Sequence, residues 1–174
     1  ANKFSGHFNG NGHTIKGLYV NVNYAALFGY TINANIYNLG IIDSFFQTAE
    51  WAASVVANGE NTKIINCYNT GRVQAKNAGG IAGTIKNSII INCYNIGSVE
   101  HTRYGGGVAC YIQGTTSKVE SNYYLKIDSQ INSTIFYAAV NSKIVISDEG
   151  SKCASFSSGN SIISDNKNLL TLLN

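Results

Sequence analysis

Two stretches of the chain combine aromatic, basic and amide side chains in a way that suits ligand binding. The first is DSFFQTAEWA at 43–52, which contains the only Trp, and the second is VEHTRYGG at 99–106. Planar rings beside cations and amides suit sugars, and they suit proteins equally well because Trp, Tyr and Arg dominate interface hot spots. With one basic residue from between the two stretches, the candidate ligand-binding residues are Phe45, Phe46, Trp51, Lys76, His101, Arg103 and Tyr104. The alternative is that the aromatic side chains of the first stretch, Phe45, Phe46 and Trp51, fold back and cover a gap in the wall of the protein.

Catalytic and metal-binding chemistry is harder to place. The H-E-x-x-H pattern of zinc peptidases is missing, and His7 and His13 flank FNGNG at a spacing that matches no helical zinc pair. Polysaccharide lyases and hydrolases need clustered acidic groups, either as calcium ligands or as a carboxylate pair. Glu50 and Glu100 are expected in equivalent corners of the repeat described below, but none of the Asp residues (Asp43, Asp128, Asp148 and Asp165) recurs beside another. We therefore expect no enzyme activity, no metal site and no cofactor.

An internal repeat indicates which elements position these residues. IINCYNTG at 64–71 returns as IINCYNIG at 90–97. Gly-flanked or small apolar triplets recur in the same order as ALFG, SVVA, GIAG and GVAC, starting at residues 26, 54, 80 and 107. A period of this length is typical of units that cannot bury their apolar face alone and must stack on copies of themselves.

Each unit contains three short apolar runs between polar or Gly corners, as in KIINCY, GRVQA and GGIAGTI. Runs of this length suit strands, and no helical stripe is sustained before residue 165. A leucine-rich repeat would need its L-x-x-L-x-L pattern, and a propeller blade needs about 40 residues. The sequence therefore predicts an all-β fold, a right-handed parallel β-helix of about five or six coils with about 27 residues per coil.

The predicted β-helix forms a single domain over 1–174. Its repeat core spans about 4–125, and irregular coils with a cap follow over 126–174. DNKNLLTLLN at 165–174 begins with Asp and spaces its Leu residues as a short helix would, so its apolar face is expected to cover the last coil. The N-terminal end shows no comparable cap, so we expect a soluble fragment of a larger protein whose flanking domains cover that end.

Stacked coils place equivalent residues about 4.8 Å apart, which offers a physical reason for the repeated motif. Asn66 above Asn92 is expected to form a buried amide ladder at a sharp corner, where each amide satisfies the next. Tyr68 above Tyr94 is expected to form a pair of stacked rings. An amide or a ring gains such a contact only if the adjacent coil carries the same residue at the same position, which explains why the motif repeats.

The four cysteines allow two interpretations. Cys67 above Cys93 predicts small, buried thiols on the inward face. Reduced thiols are favoured, because in-register side chains on parallel strands are rarely turned toward each other as a disulfide requires. A bridge between Cys110 and Cys153 is left open as an alternative.

Corner lengths indicate where the candidate ligand-binding residues meet. From the Gly of the YN-x-G element to the next apolar triplet, three successive units take 14, 9 and 10 residues. The first and third corners are therefore enlarged, and stacking predicts that 43–52 and 99–106 share one face, with Lys76 between them. The opposite corners are small and polar, which is typical of a solvated face.

Composition and charge bear on the remaining partner classes. Lys and Arg number 12 against 9 Asp and Glu, and the net charge of +3 is spread without a run that would mark a nucleic-acid site. No apolar stretch approaches the roughly 20 residues needed to span a bilayer. We therefore expect neither nucleic-acid binding nor membrane insertion.

The N-terminal stretch FSGHFNGNGHTIKGLYV at 4–20 resembles the opening coil of bacterial surface proteins that carry GLUG motifs, which typically begin F-x-G-x-F-[DN]-G-N-G-H-T-I-x-G-L. The later units with GGIAG and NCYNTG look like the GLUG repeats themselves. CASFSSGNS and NLLTLLN look like the segment that often closes such arrays. Related arrays also lie upstream of the catalytic domain in the streptococcal zinc metallopeptidases that cut IgA1.

The resemblance implies a secreted or wall-attached β-helical protein with an adhesive or spacer role, and it supplies no catalytic residue. We therefore expect a non-catalytic adhesive or glycan-binding module at the cell surface, with a glycan or a host or cell-surface protein as its partner. One alternative is a purely structural stalk. Another is a substrate-positioning domain of a larger hydrolase or peptidase.

Overall fold

Short parallel strands build the described part of the chain, as the repeat predicts. The structure is a computed structural model that describes residues 2–124 and 154–155. Its strands are β1 (His7–Asn9), β2 (Thr14–Lys16), β3 (Tyr19–Asn21), β4 (Phe28–Ile32), β5 (Asn35–Ile42), β6 (Phe45–Gln47), β7 (Trp51–Ala53), β8 (Val56–Glu60), β9 (Lys63–Asn69), β10 (Arg72–Gly79), β11 (Ala82–Lys86), β12 (Ile89–Ile91), β13 (Tyr94–Asn95), β14 (Val99–Gly106), β15 (Ala109–Gln113), β16 (Lys118–Glu120), β17 (Tyr123–Tyr124) and β18 (Ala154–Ser155).

These strands stack into three parallel sheets, which each turn of the chain visits in the same order. The first sheet contains β1, β2, β5, β9, β12, β13, β16, β17 and β18; the second contains β3, β6, β7, β10 and β14; the third contains β4, β8, β11 and β15. The result is a β-solenoid of about 4 turns with about 27 residues per turn. The parallel β-solenoid predicted from the repeat is therefore confirmed.

The C-terminal part of the prediction is not described by the structure. The irregular coils and the helical cap expected over 126–174 lie outside the described residues, apart from β18, which pairs with β17. Within the described residues there is no helix, and so none that could cross a membrane.

The register between turns follows the spacing of the apolar triplets. In the third sheet Phe28 pairs with Val56, Val56 with Ala82, and Ala82 with Ala109. These residues hold the same place in the four triplets, so the sequence alignment of the repeat is also the alignment of the stacked coils.

The core is a set of columns of small and branched apolar side chains that run along the solenoid axis. In the first sheet Ile36 pairs with Ile64, Ile64 with Ile90, and Ile90 with Val119, and all four are fully buried. Buried and more exposed positions alternate along β6, β12, β16 and the first half of β10, as pleated strands require. Each coil thus buries its apolar face against the next one.

Asparagine forms many of the corners because its short amide side chain tolerates left-handed backbone. Ten non-glycine residues in the described part of the chain have positive φ, and seven of these are Asn. They are Asn11, Asn33, Asn38, Asn61, Asn66, Asn87 and Asn92. Asn61 and Asn87 stand at the same corner of successive turns with φ of 48° and 49°. The high Asn content therefore has a structural role.

The predicted buried ladder of Asn66 and Asn92 is wrong, because both residues are exposed. Their left-handed backbone turns the chain, and the Asn66 amide donates instead to Asn38 Oδ1 on the preceding turn (3.1 Å). The buried ladder lies three residues further along, where Asn69 Nδ2 donates to Asn95 Oδ1 (2.8 Å). Strand alternation after Cys67 makes every second residue face inward, which places Asn69 in the interior.

The stacked thiols and rings are confirmed. Cys67 and Cys93 are fully buried and reduced, and the Cys67 backbone N–H points at Cys93 Sγ (3.4 Å). Burial raises the pKa of the Cys93 thiol well above its usual value. Tyr68 and Tyr94 stack with ring centroids 4.8 Å apart and planes 3° from parallel. The proposed partner of Cys110, residue 153, lies outside the described residues.

Candidate functional site

Two irregularities in the second sheet create a depression on its outer face. In the second turn the sheet is interrupted between β6 and β7, so residues 48–50 leave the strand. In the third turn β10 runs through without a break. In the fourth turn β14 carries a bulge, because Ala75 pairs with His101 whereas Asn77 pairs with Tyr104. These features explain the corner lengths of 14, 9 and 10 residues, since the unbroken third turn lies between two enlarged ones.

The depression, which we call the cleft, has a volume of about 650 Å³ and opens to solvent. Its lining residues come from the end of β6 and the loop after it, the middle of β10 and the bulge of β14. They are Gln47, Thr48, Ala49, Gln74, Ala75, Lys76, Thr102 and Arg103. The two sequence stretches 43–52 and 99–106 therefore meet on one face, with β10 between them.

Two of the predicted site residues, Lys76 and Arg103, line the cleft. The Arg103 Cζ atom lies 4.5 Å from the centre of the Tyr104 ring, a cation–π contact that supports the guanidinium from one side. The sequence analysis did not identify the amide and hydroxyl residues of the lining, which are Gln47, Gln74, Thr48 and Thr102. Gln47, Thr48 and Thr102 lie within the enlarged corners, so the comparison of corner lengths could have identified them, whereas Gln74 lies in the third turn and carried no such signal.

The two phenylalanines face opposite ways. Phe46 is fully buried in the core, so the expectation that it contacts a ligand is wrong. Phe45 is half-buried on the outer face, where its ring lies 5.8 Å from the Tyr19 ring and 4.8 Å from Arg72 Cζ. Successive residues of a strand point to opposite faces, so only one of the pair can be at the surface. Phe45 does not belong to the lining of the cleft.

Trp51 and His101 do not line the cleft. Trp51 is half-buried, and its ring centroid lies 6.2 Å from that of Tyr111 in the third sheet. His101 is also half-buried and lies over Gly105, where an added Cβ would collide with the imidazole. Burial lowers the pKa of His101, so the side chain is neutral near pH 7 and adds no positive charge to the cleft.

Charge at the cleft comes from Lys76 and Arg103. Arg72 nearby is committed to Glu100 through two hydrogen bonds of 2.8 and 2.7 Å. Within residues 2–124, neither Lys76 nor Arg103 forms an ion pair. The cleft therefore carries two positive charges without a compensating carboxylate in contact.

The register corrects the expected equivalence of Glu50 and Glu100. Trp51 pairs with Asn77, which places Glu50 level with Lys76, whereas Glu100 pairs with Gln74. The two carboxylates are therefore at different places in the repeat, and one is neutralised by Arg72. In the described part of the chain, no group of three His, Cys, Asp and Glu side chains is placed to hold a metal ion. His7 is the first residue of β1, where its register partner Asn35 donates from Nδ2 to His7 Nδ1 (3.0 Å).

Trp51→Ala is expected to destabilise the protein by roughly 1–3 kcal/mol, because a half-buried ring loses its apolar contacts and its partner Tyr111. Thermal or urea unfolding of Trp51→Ala, Tyr111→Ala and the double variant measures this. The double variant should be less destabilised than the sum of the singles by about 0.5–1.5 kcal/mol, the range for an aromatic pair. An unchanged stability would instead mark Trp51 as a surface residue available to a ligand.

Comparison of the chain with protein-family models, with curated proteins and with solved structures gave no match. The cleft is therefore the feature that bears on function. The cleft is distinguished by two carboxamides, two hydroxyls and two cations on the open outer face of the second sheet.

Proposed function

We propose that the chain is a non-catalytic glycan-binding module of a secreted or cell-surface bacterial protein, built as a right-handed parallel β-helix. The observation that carries the proposal is the cleft, which two enlarged turns form around the third turn. The resemblance of 4–20 and of the later units to GLUG-motif surface proteins supports the location. Both features are consistent with an adhesive role in which a larger protein presents this domain to a surface.

The chemistry of the cleft favours a sugar. Gln47 and Gln74 are register partners on adjacent turns, and each carboxamide offers both donors and an acceptor. Thr48 and Thr102 add hydroxyls on either side. Sugar hydroxyls are donors and acceptors at once, so this mixed lining matches them. An extended peptide cannot add to β10 as a further strand, because β10 at the centre of the cleft already pairs with β14 on one side and with β6 and β7 on the other.

A structural stalk is the second candidate, and the continuity of the columns favours it. Buried Ile, Cys and Asn columns run through successive turns, which suits a rigid spacer. A stalk does not require the cleft, so binding distinguishes the two. A substrate-positioning domain of a larger hydrolase or peptidase would use the same cleft, and the domains joined to this one in the parent protein would identify it.

The proposed function predicts that the double variant Gln47→Ala/Gln74→Ala binds its glycan about 10-fold or more weakly, because two sets of hydrogen bonds to hydroxyls are lost. A glycan array with neutral and acidic oligosaccharides finds the ligand, and calorimetry measures the affinities of wild type and variant. Both side chains are on the outer face, so the melting temperature should hardly change.

Gln113→Ala is the matched control, since Gln113 is an exposed carboxamide at the end of β15 in the third sheet. It should bind as the wild type does. An array on which the wild-type protein retains no glycan would contradict the proposal and leave the stalk. Binding that survives the double variant would place the glycan elsewhere on the surface.

A further inference from the structure

We infer that the cleft selects acidic glycans, with Lys76 and Arg103 binding a carboxylate or sulfate of the sugar while the amides and hydroxyls bind its hydroxyl groups. This inference rests on the proposed function and names the class of ligand. It depends on how the charges around the second sheet are distributed between paired and unpaired groups.

Most acidic groups of the described residues are already paired. The ion pairs are Lys16 with Asp43, Arg72 with Glu100 and Lys86 with Glu60. Arg72 and Glu100 form a bidentate pair on the same sheet as the cleft. The charges of these two residues neutralise each other, so neither is available to a ligand. Lys76 and Arg103 have no such partner among residues 2–124. Their charge is therefore available to a ligand.

The geometry brings the two cations to the same place. The bulge of β14 sets Arg103 opposite the part of β10 that carries Lys76, on the adjacent turn, and turns are about 4.8 Å apart. Tyr104 supports one face of the Arg103 guanidinium. The N–H groups of a guanidinium lie at its edge, so that face contact leaves them free to bind an anion in a fork. A single acidic group can thus contact both side chains.

Glu50 is the carboxylate that the register places level with Lys76, since Trp51 pairs with Asn77. Its backbone carbonyl accepts a hydrogen bond from the Asn77 N–H (2.9 Å), and its side chain is exposed. Glu50 does not line the cleft. Its negative charge would repel an acidic sugar. Removing that charge should therefore not weaken binding, whereas removing the charge of Lys76 or Arg103 should.

The test compares Lys76→Met, Arg103→Met and their double variant with the wild type, using oligogalacturonate, which carries only carboxylates, a carrageenan oligosaccharide, which carries only sulfates, and a neutral xylo-oligosaccharide. The two acidic probes distinguish a carboxylate from a sulfate ligand. The wild type should prefer one of them over the neutral sugar, and raising NaCl should weaken that binding because salt screens exposed charges. Each single variant should bind the acidic probe about 5–10-fold more weakly, and the double variant about 30-fold or more.

Two variants serve as controls. Lys63→Met removes one exposed cation from the first sheet, and it should bind as the wild type does. Glu50→Gln should bind the acidic probe at least as tightly as the wild type, and weaker binding would overturn the inference. Unchanged melting temperatures would show that all variants are folded.

Other outcomes separate the inference from the proposed function. Binding of the neutral sugar as tightly as the acidic one, unaffected by the double Met variant, would overturn the inference and leave glycan binding intact. Binding of polyglutamate as tightly as the acidic oligosaccharides would show that charge alone is recognised, which would overturn the assignment to glycans. Retention of no glycan of any kind would contradict both.

Discussion

Replacing Phe46 by Ala is expected to destabilise the protein by about 3–5 kcal/mol, the range for emptying a fully buried aromatic site. Phe46 has no exposed surface, and its register partners are Val20 and Val73, on the turns on either side. Removing its ring therefore leaves a cavity between three coils. Urea denaturation, with the free energy of unfolding extrapolated to water, measures the loss.

The neighbouring residue is the matched control. Phe45→Ala removes the same ring from the outer face, where it contacts Tyr19 and Arg72 at the surface. Phe45→Ala should lower the free energy of unfolding by no more than about 1.5 kcal/mol, which is the range for a surface aromatic or cation–π contact. A larger loss for Phe45→Ala than for Phe46→Ala would mean that β6 is turned over, since a shift of one residue exchanges the two faces of a strand.

Removing either amide of the buried ladder, Asn69→Ala or Asn95→Ala, is expected to destabilise the protein by about 1–3 kcal/mol. Asn69 Nδ2 donates to Asn95 Oδ1 and to the Gly71 carbonyl, and Asn69 Oδ1 accepts from the Gly71 N–H. Asn95 makes the same pair of contacts with Gly97. Each substitution therefore leaves buried backbone groups without a partner, and denaturant unfolding of the two variants measures the cost.

The double variant tests whether the two amides act as one unit. Its loss should differ from the sum of the single losses by about 0.5–3 kcal/mol, because the two amides share a hydrogen bond. Asn92→Gly is the control: Asn92 is exposed and left-handed, and Gly adopts that backbone without strain. Its effect should be within about 0.5 kcal/mol. Strict additivity of Asn69→Ala and Asn95→Ala would argue against a ladder.

The candidate site was predicted in part. Corner lengths correctly indicated that 43–52 and 99–106 approach each other, and the cleft lies where the two enlarged turns flank the third. The predicted set also contains aromatic residues, of which Phe46 is buried in the core and Trp51 does not line the cleft. Trp51 packs toward Tyr111, and the cleft is lined mainly by amides, hydroxyls and cations. Such residues are common on any surface, so their types alone do not mark a site.

The sequence by itself determined the parallel solenoid, its period and the alignment of its coils. A stacked repeat keeps the same register from turn to turn, so residues one period apart in the sequence become neighbours on adjacent turns. The column of Phe28, Val56, Ala82 and Ala109 is an example. Only the tertiary structure decided which side each residue faces. Left-handed corners such as Asn66 and the bulge in β14 change the alternation locally, and a change of one residue exchanges core and surface. That is why Asn69 rather than Asn66 forms the buried ladder, and why Phe46 belongs to the core while Lys76 and Arg103 line the cleft.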